Sequence, residues 1–173
     1  MTQIADSAQA RAWNGTLGNH WASHHERCDT LVSGLNTALF DAAAIASGDR
    51  VLDVGCGAGA TTRIAGRPAA HGHAVGVDIS APLLDLARAT TAAEGVTDVA
   101  YELADAQIHP FPPAGYDVLI SRGVTRPEPF RRTSGRTGHR DGDALRPYET
   151  DRRVRLRAAV WLVTAKWRTD DSQ

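Results

Sequence analysis

Four short apolar runs mark the first 121 residues: Val51–Val54, Ala74–Val77, Val99–Leu103 and Tyr116–Ser121. They are nearly continuous rather than alternating, as expected of strands covered on both faces. The stretches between them carry helical signals. Residues 59–65 follow the first run as a helix that Gly66 and Pro68 interrupt. Ser80 is placed to cap a helix to about Ala93, with Pro82 in its first turn, Leu83, Leu84, Leu86 and Ala87 along it, and Gly95 at its end. Residues 109–113 are proline-rich and read as an extended loop. Upstream, Asp29–Ala46 has helical spacing at Leu31, Leu35, Leu39 and Ala42, with Gly48 as carboxyl cap. A further helix is expected to start near Asn19 or Ser23, after a loop framed by Trp13 and Trp21. Residues 1–10 are small or polar and read as a mobile arm.

Strand, helix, strand, helix, strand, loop, strand is the order of an α/β open parallel sheet with helices on both faces. A chain of 173 residues is long enough for one such domain with a sizeable core. No apolar run approaches the length that spans a membrane, and residues 1–20 lack the form of a signal peptide. The two cysteines, Cys28 and Cys56, form neither a disulfide framework nor a patterned metal site, so a cytoplasmic, reducing setting is expected. Charge is divided unevenly. Residues 1–121 hold 6 Arg and 13 acids, a balance of −7, whereas residues 122–173 hold 13 basic and 7 acidic residues, a balance of +6.

The chemistry concentrates after the first apolar run, in Val51-Leu-Asp-Val-Gly-Cys-Gly-Ala-Gly59. Three glycines two apart allow a sharp strand-to-helix turn and a close approach of a ligand to the backbone. Asp53 precedes them, and Asp78 closes the next apolar run about 20 residues after their centre, the layout of a nucleotide-type site. The other candidates have plainer readings. Cys56 reads as a small buried residue and Asp117 as a structural acid at a strand start. His20 and His24 are four apart but lack a patterned third ligand, so no metal is expected. The arginines of the tail read as solvated charge rather than a nucleic-acid surface, because aromatic residues are not interleaved with them.

Together these pieces resemble the class I S-adenosylmethionine-dependent methyltransferases, especially the small-molecule group that includes quinone-biosynthesis enzymes. The matching segments are residues 51–59, Gly76-Val-Asp-Ile-Ser80 with Leu83–Arg88, Ala104-Asp-Ala106 and Tyr116–Arg122. The resemblance implies a Rossmann-like fold and S-adenosyl-L-methionine as cofactor. It implies that Asp53 and the backbone at Gly55, Cys56 and Gly57 face the methionine moiety and that Asp78 accepts from the ribose hydroxyls. It implies that Ile79 packs on the adenine, that Asp105 takes its amino group beside the Ala106 N–H, and that Ser121 lies where cofactor and acceptor meet. Trp13 and Trp21 resemble aromatic positions of an amino-terminal lid. Methyl transfer from a sulfonium needs alignment and exclusion of water more than side-chain chemistry, and no residue stands out as a general base. A small-molecule acceptor is expected, with no membrane partner. A non-catalytic cofactor-binding remnant, a nucleic-acid methyltransferase and a nicotinamide-linked oxidoreductase are the rival readings.

The family pattern stops near residue 122. Its usual helix, proline-glycine-glycine turn, fifth strand and final hairpin are not recognisable in residues 122–173. The expected organisation is therefore a helical lid or cap over 1–48 and a cofactor-binding core over 49–122. An irregular Arg/Pro/Gly-rich segment follows over 123–153, then an extra strand or helix over 154–167 and a disordered tail over 168–173. The carboxyl-terminal strands read as incomplete, and the sheet edge beyond the fourth strand as open to self-association. The abrupt change in composition has the look of a reading-frame shift in a G+C-rich gene, which translation of the other frames would test.

Overall fold

A computed structural model describes residues 7–67, 69, 72–124, 149–150, 153–154 and 160–166. Four helices come first: α1 (Ser7–Asn14), α2 (Thr16–Ser23), α3 (His25–Ser33) and α4 (Asn36–Ala43). They are followed by β1 (Arg50–Val54), α5 (Ala60–Gly66), β2 (His73–Asp78), α6 (Ala81–Ala93), β3 (Val99–Leu103) and β4 (Val118–Val124). Strand β1 pairs in parallel with β2 on one side and with β4 on the other, and β2 pairs in parallel with β3. The sheet order is β3-β2-β1-β4-β7, with β7 spanning Val160–Lys166. Chain order therefore reverses at β1, and the carboxyl ends of β1 and β4 lie side by side.

Burial explains why the apolar runs are continuous. Val51, Leu52 and Asp53 of β1 are all buried, whereas the edge strand β3 is at most half-buried. Val51, Ala74, Val118 and Ile120 of the sheet pack with Ala65 of α5 and with Leu39 and Ala43 of α4. Asp117 has a structural task. It accepts from the Arg50 N–H at 2.8 Å and from Arg50 Nε and Nη2, while its own N–H donates to the Arg50 carbonyl.

Several local expectations are corrected. The helix expected over 29–46 is two helices, α3 and α4, separated at Gly34 and Leu35. A turn closes there with the Leu35 N–H on the Val32 carbonyl. The break rotates Leu31 away from the core, leaving it 77% exposed, and the buried pair is Leu39 with Ala43 rather than Ala42. Helix α4 ends on Ala44, at φ +45°, rather than on Gly48. The tryptophans do not frame a loop: Trp13 lies in α1 and Trp21 in α2, with Gly15 between the helices. Helix α1 already begins at Ser7, so helical structure reaches into the arm expected to be mobile, and residues 1–6 lie outside the described residues.

Beside β4, at the edge expected to be open, stands β7. The other described part of the tail is a two-residue antiparallel pair, β5 (Glu149–Thr150) with β6 (Arg153–Val154). Pro68, most of the irregular segment expected over 123–153 and the tail over 168–173 lie outside the described residues.

Candidate functional site at the carboxyl edge of the sheet

The turn after β1 is shaped by backbone geometry that only glycine adopts without strain. Gly55, Gly57 and Gly59 have φ of +70°, +55° and +76°. Their surroundings differ. A side chain at Gly59 would strike the Tyr101 ring, with ring carbons 2.7 Å from the added Cβ. At Gly55 and Gly57 the same atom would meet nothing within 4 Å. The first and second glycines thus border open space, and the third is clamped against β3.

The N–H groups of this turn are already engaged. Gly55 and Cys56 donate to the Val77 carbonyl at 2.9 and 3.2 Å, Gly57 donates to Asp78 Oδ2 at 2.9 Å, and Gly59 donates to the Cys56 carbonyl. The N–H groups of Gly55, Cys56 and Gly57 are thus all turned onto the end of β2.

Carboxylates surround the turn. Asp53 is fully buried, and its Oδ2 accepts from the hydroxyls of Thr61 and Thr62, each at 2.7 Å. Its Oδ1 is buried without a hydrogen-bond partner. Burial pushes the Asp53 carboxyl up to about 6, while Thr62, Thr61 and the Arg122 charge pull it down and Asp78 adds a further push upward. Asp78, at the end of β2, accepts from Gly57 N–H through Oδ2 and from Ser80 N–H through Oδ1. Burial also raises the Asp78 carboxyl above its ordinary range, against the N–H groups that favour its charged form. Asp105 is buried after β3, where Oδ1 accepts from the Gln107 N–H at 3.0 Å. The Ala104 N–H donates to the Asp78 carbonyl, which joins the β2 and β3 ends.

The remaining expected residues fall along the same edge. Ile79 is half-buried beside Asp78, and Ala106 is half-buried in the turn after Asp105. Ser121 donates its hydroxyl to the Val54 carbonyl at 2.8 Å, tying β4 to the end of β1. Cys56 is buried, and burial with Asp53 and Asp78 nearby pushes its thiol far above the usual range. Gly76 makes room for it, since a side chain there would lie 2.8 Å from Cys56 Sγ and 2.7 Å from Thr62 Oγ1. Trp13 and Trp21 meet edge to face at 5.9 Å between centroids. His24 Nδ1 hydrogen-bonds the His20 carbonyl, and among the described residues no three metal-ligating side chains gather.

Three groups escaped the sequence reading. Thr61 and Thr62 hold Asp53, and their position just after the glycine turn was the available signal. Arg122, only 9% exposed, donates to Asn36 Oδ1 at 2.7 Å and Asp29 Oδ1 at 3.1 Å, joining the end of β4 to α4 and α3. Asn14 reaches the loop after β2, and nothing in its local sequence marks it.

A parallel sheet whose order reverses at β1, with a glycine turn and acids at its carboxyl edge, defines a Rossmann-like nucleotide-cofactor protein. Residues 51–133 match the family described as a methyltransferase domain. The chain is 31% identical over 107 residues to a demethylmenaquinone methyltransferase of Tropheryma whipplei (strain Twist), covering 59% of this chain and 43% of that protein. It thus spans less than half the length of that relative. In solved structures, a chain in the complex between the Haloferax volcanii Trm112 methyltransferase activator and a methyltransferase superposes with a TM-score of 0.54. That chain is 23% identical, and the superposition covers 60% of this chain and 44% of the other, a likeness of fold. In sequence this domain is thus similar to S-adenosylmethionine-dependent methyltransferases, and in fold to the structures of that class.

Proposed function

We propose that the protein binds S-adenosyl-L-methionine along the carboxyl ends of β1, β2 and β3 and transfers its methyl group to a small-molecule acceptor. The observation that carries this reading is the polarity of the site. The N–H groups at Gly55, Cys56 and Gly57 are engaged, and Asp53, Asp78 and Asp105 gather at the edge. Such a surface repels a pyrophosphate and suits a cationic ligand that brings its own N–H and O–H donors. The unpartnered Asp53 Oδ1 is a ready acceptor close to the turn, and the open space at Gly55 and Gly57 fits a ligand lying on the backbone.

In this reading Asp53 and the carbonyls at Gly55–Gly57 hold the ammonium end. Asp78 accepts from the ribose hydroxyls through the lone pairs its backbone donors leave, Ile79 covers the adenine face, and Asp105 with the Ala106 N–H reads its edge. Ser121 borders the acceptor side, and Trp13 and Trp21 cover the site as part of a lid. When bound, the cofactor supplies an activated methyl on a sulfonium. The protein's part is orientation and exclusion of water, and no described side chain is cast as a general base. The relative named for demethylmenaquinone makes a quinone-like acceptor the first to try. Two free cysteines suit a cytoplasmic location.

Titration calorimetry with S-adenosylhomocysteine tests the reading. Wild type should bind, and Asp78→Ala should weaken binding roughly 10- to 100-fold, the worth of hydrogen bonds to a charged acceptor. Folded wild type that gives no heat refutes the cofactor assignment, and heat with NAD instead would favour an oxidoreductase. Binding with no methyl transfer to any acceptor tried would leave a cofactor-binding module.

A further inference from the structure

The end of helix α1 is fastened to the loop that leaves β2. Asn14 Nδ2 donates to the Ile79 carbonyl at 2.8 Å, and Asn14 Oδ1 accepts from the Ala81 N–H at 2.9 Å. One amide side chain thereby satisfies both backbone groups that flank Ser80. The Ser80 hydroxyl does not cap its own helix. It donates instead to the Trp13 carbonyl at 2.7 Å, from a fully buried position. Gly18 of α2 completes the contact, since a side chain there would collide with the Trp13 carbonyl and lie 3.1 Å from Ser80 Oγ. Three hydrogen bonds thus join residues 13–14 to residues 79–81, across 65 to 67 positions of sequence. The same loop begins with Asp78, whose Oδ1 accepts from the Ser80 N–H.

We propose that Asn14 is a positioning residue, a latch that fixes the α1–α2 arm to the Asp78–Ala81 loop so that arm and loop form one cofactor-binding unit. The inference rests on the cofactor reading above and adds how the amino-terminal arm takes part in it. Asn14 is exposed and its bonds compete with water, which makes the fastening reversible. The buried Ser80–Trp13 bond sets where the arm docks. An arm that docks only when residues 79–81 are in place exerts a coupling on the ligand held by that loop, and the coupling is reciprocal.

Hydrogen exchange and calorimetry on the full chain test this with Asn14→Ala, Asn14→Asp and Ser80→Ala. In wild type, S-adenosylhomocysteine should slow exchange in residues 7–23 as well as in the loop. Asn14→Ala should raise Kd about tenfold, remove the ligand-induced protection of residues 7–23 and expose the Ala81 amide even without ligand. Asn14→Asp keeps the acceptor for Ala81 but loses the donor to Ile79, and should fall between. Ser80→Ala supplies the same comparison from the other side of the joint if Asn14→Ala fails to fold. An Asn14→Ala protein with wild-type affinity and wild-type arm protection overturns the latch while leaving the cofactor reading intact. A folded wild type that does not bind overturns the cofactor reading, and the latch then stands or falls on whether Asn14→Ala speeds exchange at Ala81.

Discussion

Gly57 and Gly59 share a left-handed backbone, at φ +55° and +76°, but not a neighbourhood. Alanine in that conformation costs about 1–2 kcal/mol, partly offset by the smaller entropy of the unfolded chain, so each substitution begins near 1 kcal/mol net. For Gly57→Ala that is the whole cost to stability, because the new methyl meets nothing within 4 Å. In a chain of this length it corresponds to a melting temperature lower by about 2–4 °C. For Gly59→Ala the methyl also strikes the Tyr101 ring, whose Cε1 and Cζ lie 2.7 Å away. Overpacking of that kind adds roughly 1–3 kcal/mol, for a total of about 2–4 kcal/mol. Binding should follow the opposite order. The Gly57 methyl projects into the space assigned to the ligand, and affinity for S-adenosylhomocysteine should fall about tenfold or more. Denaturant unfolding of Gly57→Ala, Gly59→Ala, Tyr101→Ala and the Gly59→Ala/Tyr101→Ala pair, with calorimetry on Gly57→Ala, separates the effects. The pair should show a coupling of about 1–3 kcal/mol as the collision is relieved. Additive costs would show that Tyr101 is not what excludes a side chain at Gly59. Wild-type affinity in Gly57→Ala would show that the ligand does not approach that glycine.

Two further predictions concern titratable groups. Asp53 has a carboxyl raised to about 6 by burial, so the folded state keeps the proton in a range where the unfolded chain has lost it. Its contribution to stability is full below about pH 4 and is lost as pH rises through about 6, by about 3 kcal/mol at most. The stability difference between wild type and Asp53→Asn should therefore change across that window, and Arg122→Gln, by removing a charge that pulls Asp53 down, should extend the change to higher pH. Parallel curves for wild type and Asp53→Asn would refute the assignment. The second concerns thiols: Cys56 is buried with its ionisation suppressed, whereas Cys28 is half-buried. Iodoacetamide should label Cys28 in the folded protein and Cys56 only once denaturant is added, and equal labelling rates would contradict the burial of Cys56.

What could be read along the chain was what local pattern encodes. Val51–Val54 and Ala74–Val77 are apolar because both faces of β1 and β2 are covered, and the glycine turn declares itself because positive φ at three nearby positions demands that residue. What could not be read depends on partners distant in sequence. Arg122 finds Asp29 and Asn36 across 93 and 86 positions, and Asn14 finds Ile79 across 65. The break at Gly34–Leu35 was hidden because leucines at helical spacing run straight through it. Strand β7 beside β4 was half-visible, as an apolar run without a known place in the sheet. The engagement of the glycine-turn N–H groups by Val77 and Asp78 is a tertiary fact that the motif alone does not show.

The central position of β1 has a consequence for how the protein is made. Its partner β2 follows soon after it on the ribosome, but the Arg50–Asp117 contact that marks β4 spans 67 residues. A nascent chain that has released β1, β2 and β3 holds a sheet whose most buried strand is, for the moment, its edge. Such an edge is a template for mispairing until β4 arrives. Synthesis between residues 103 and 118 is thus the interval in which the growing chain most needs shielding, and slow codons there would lengthen its exposure.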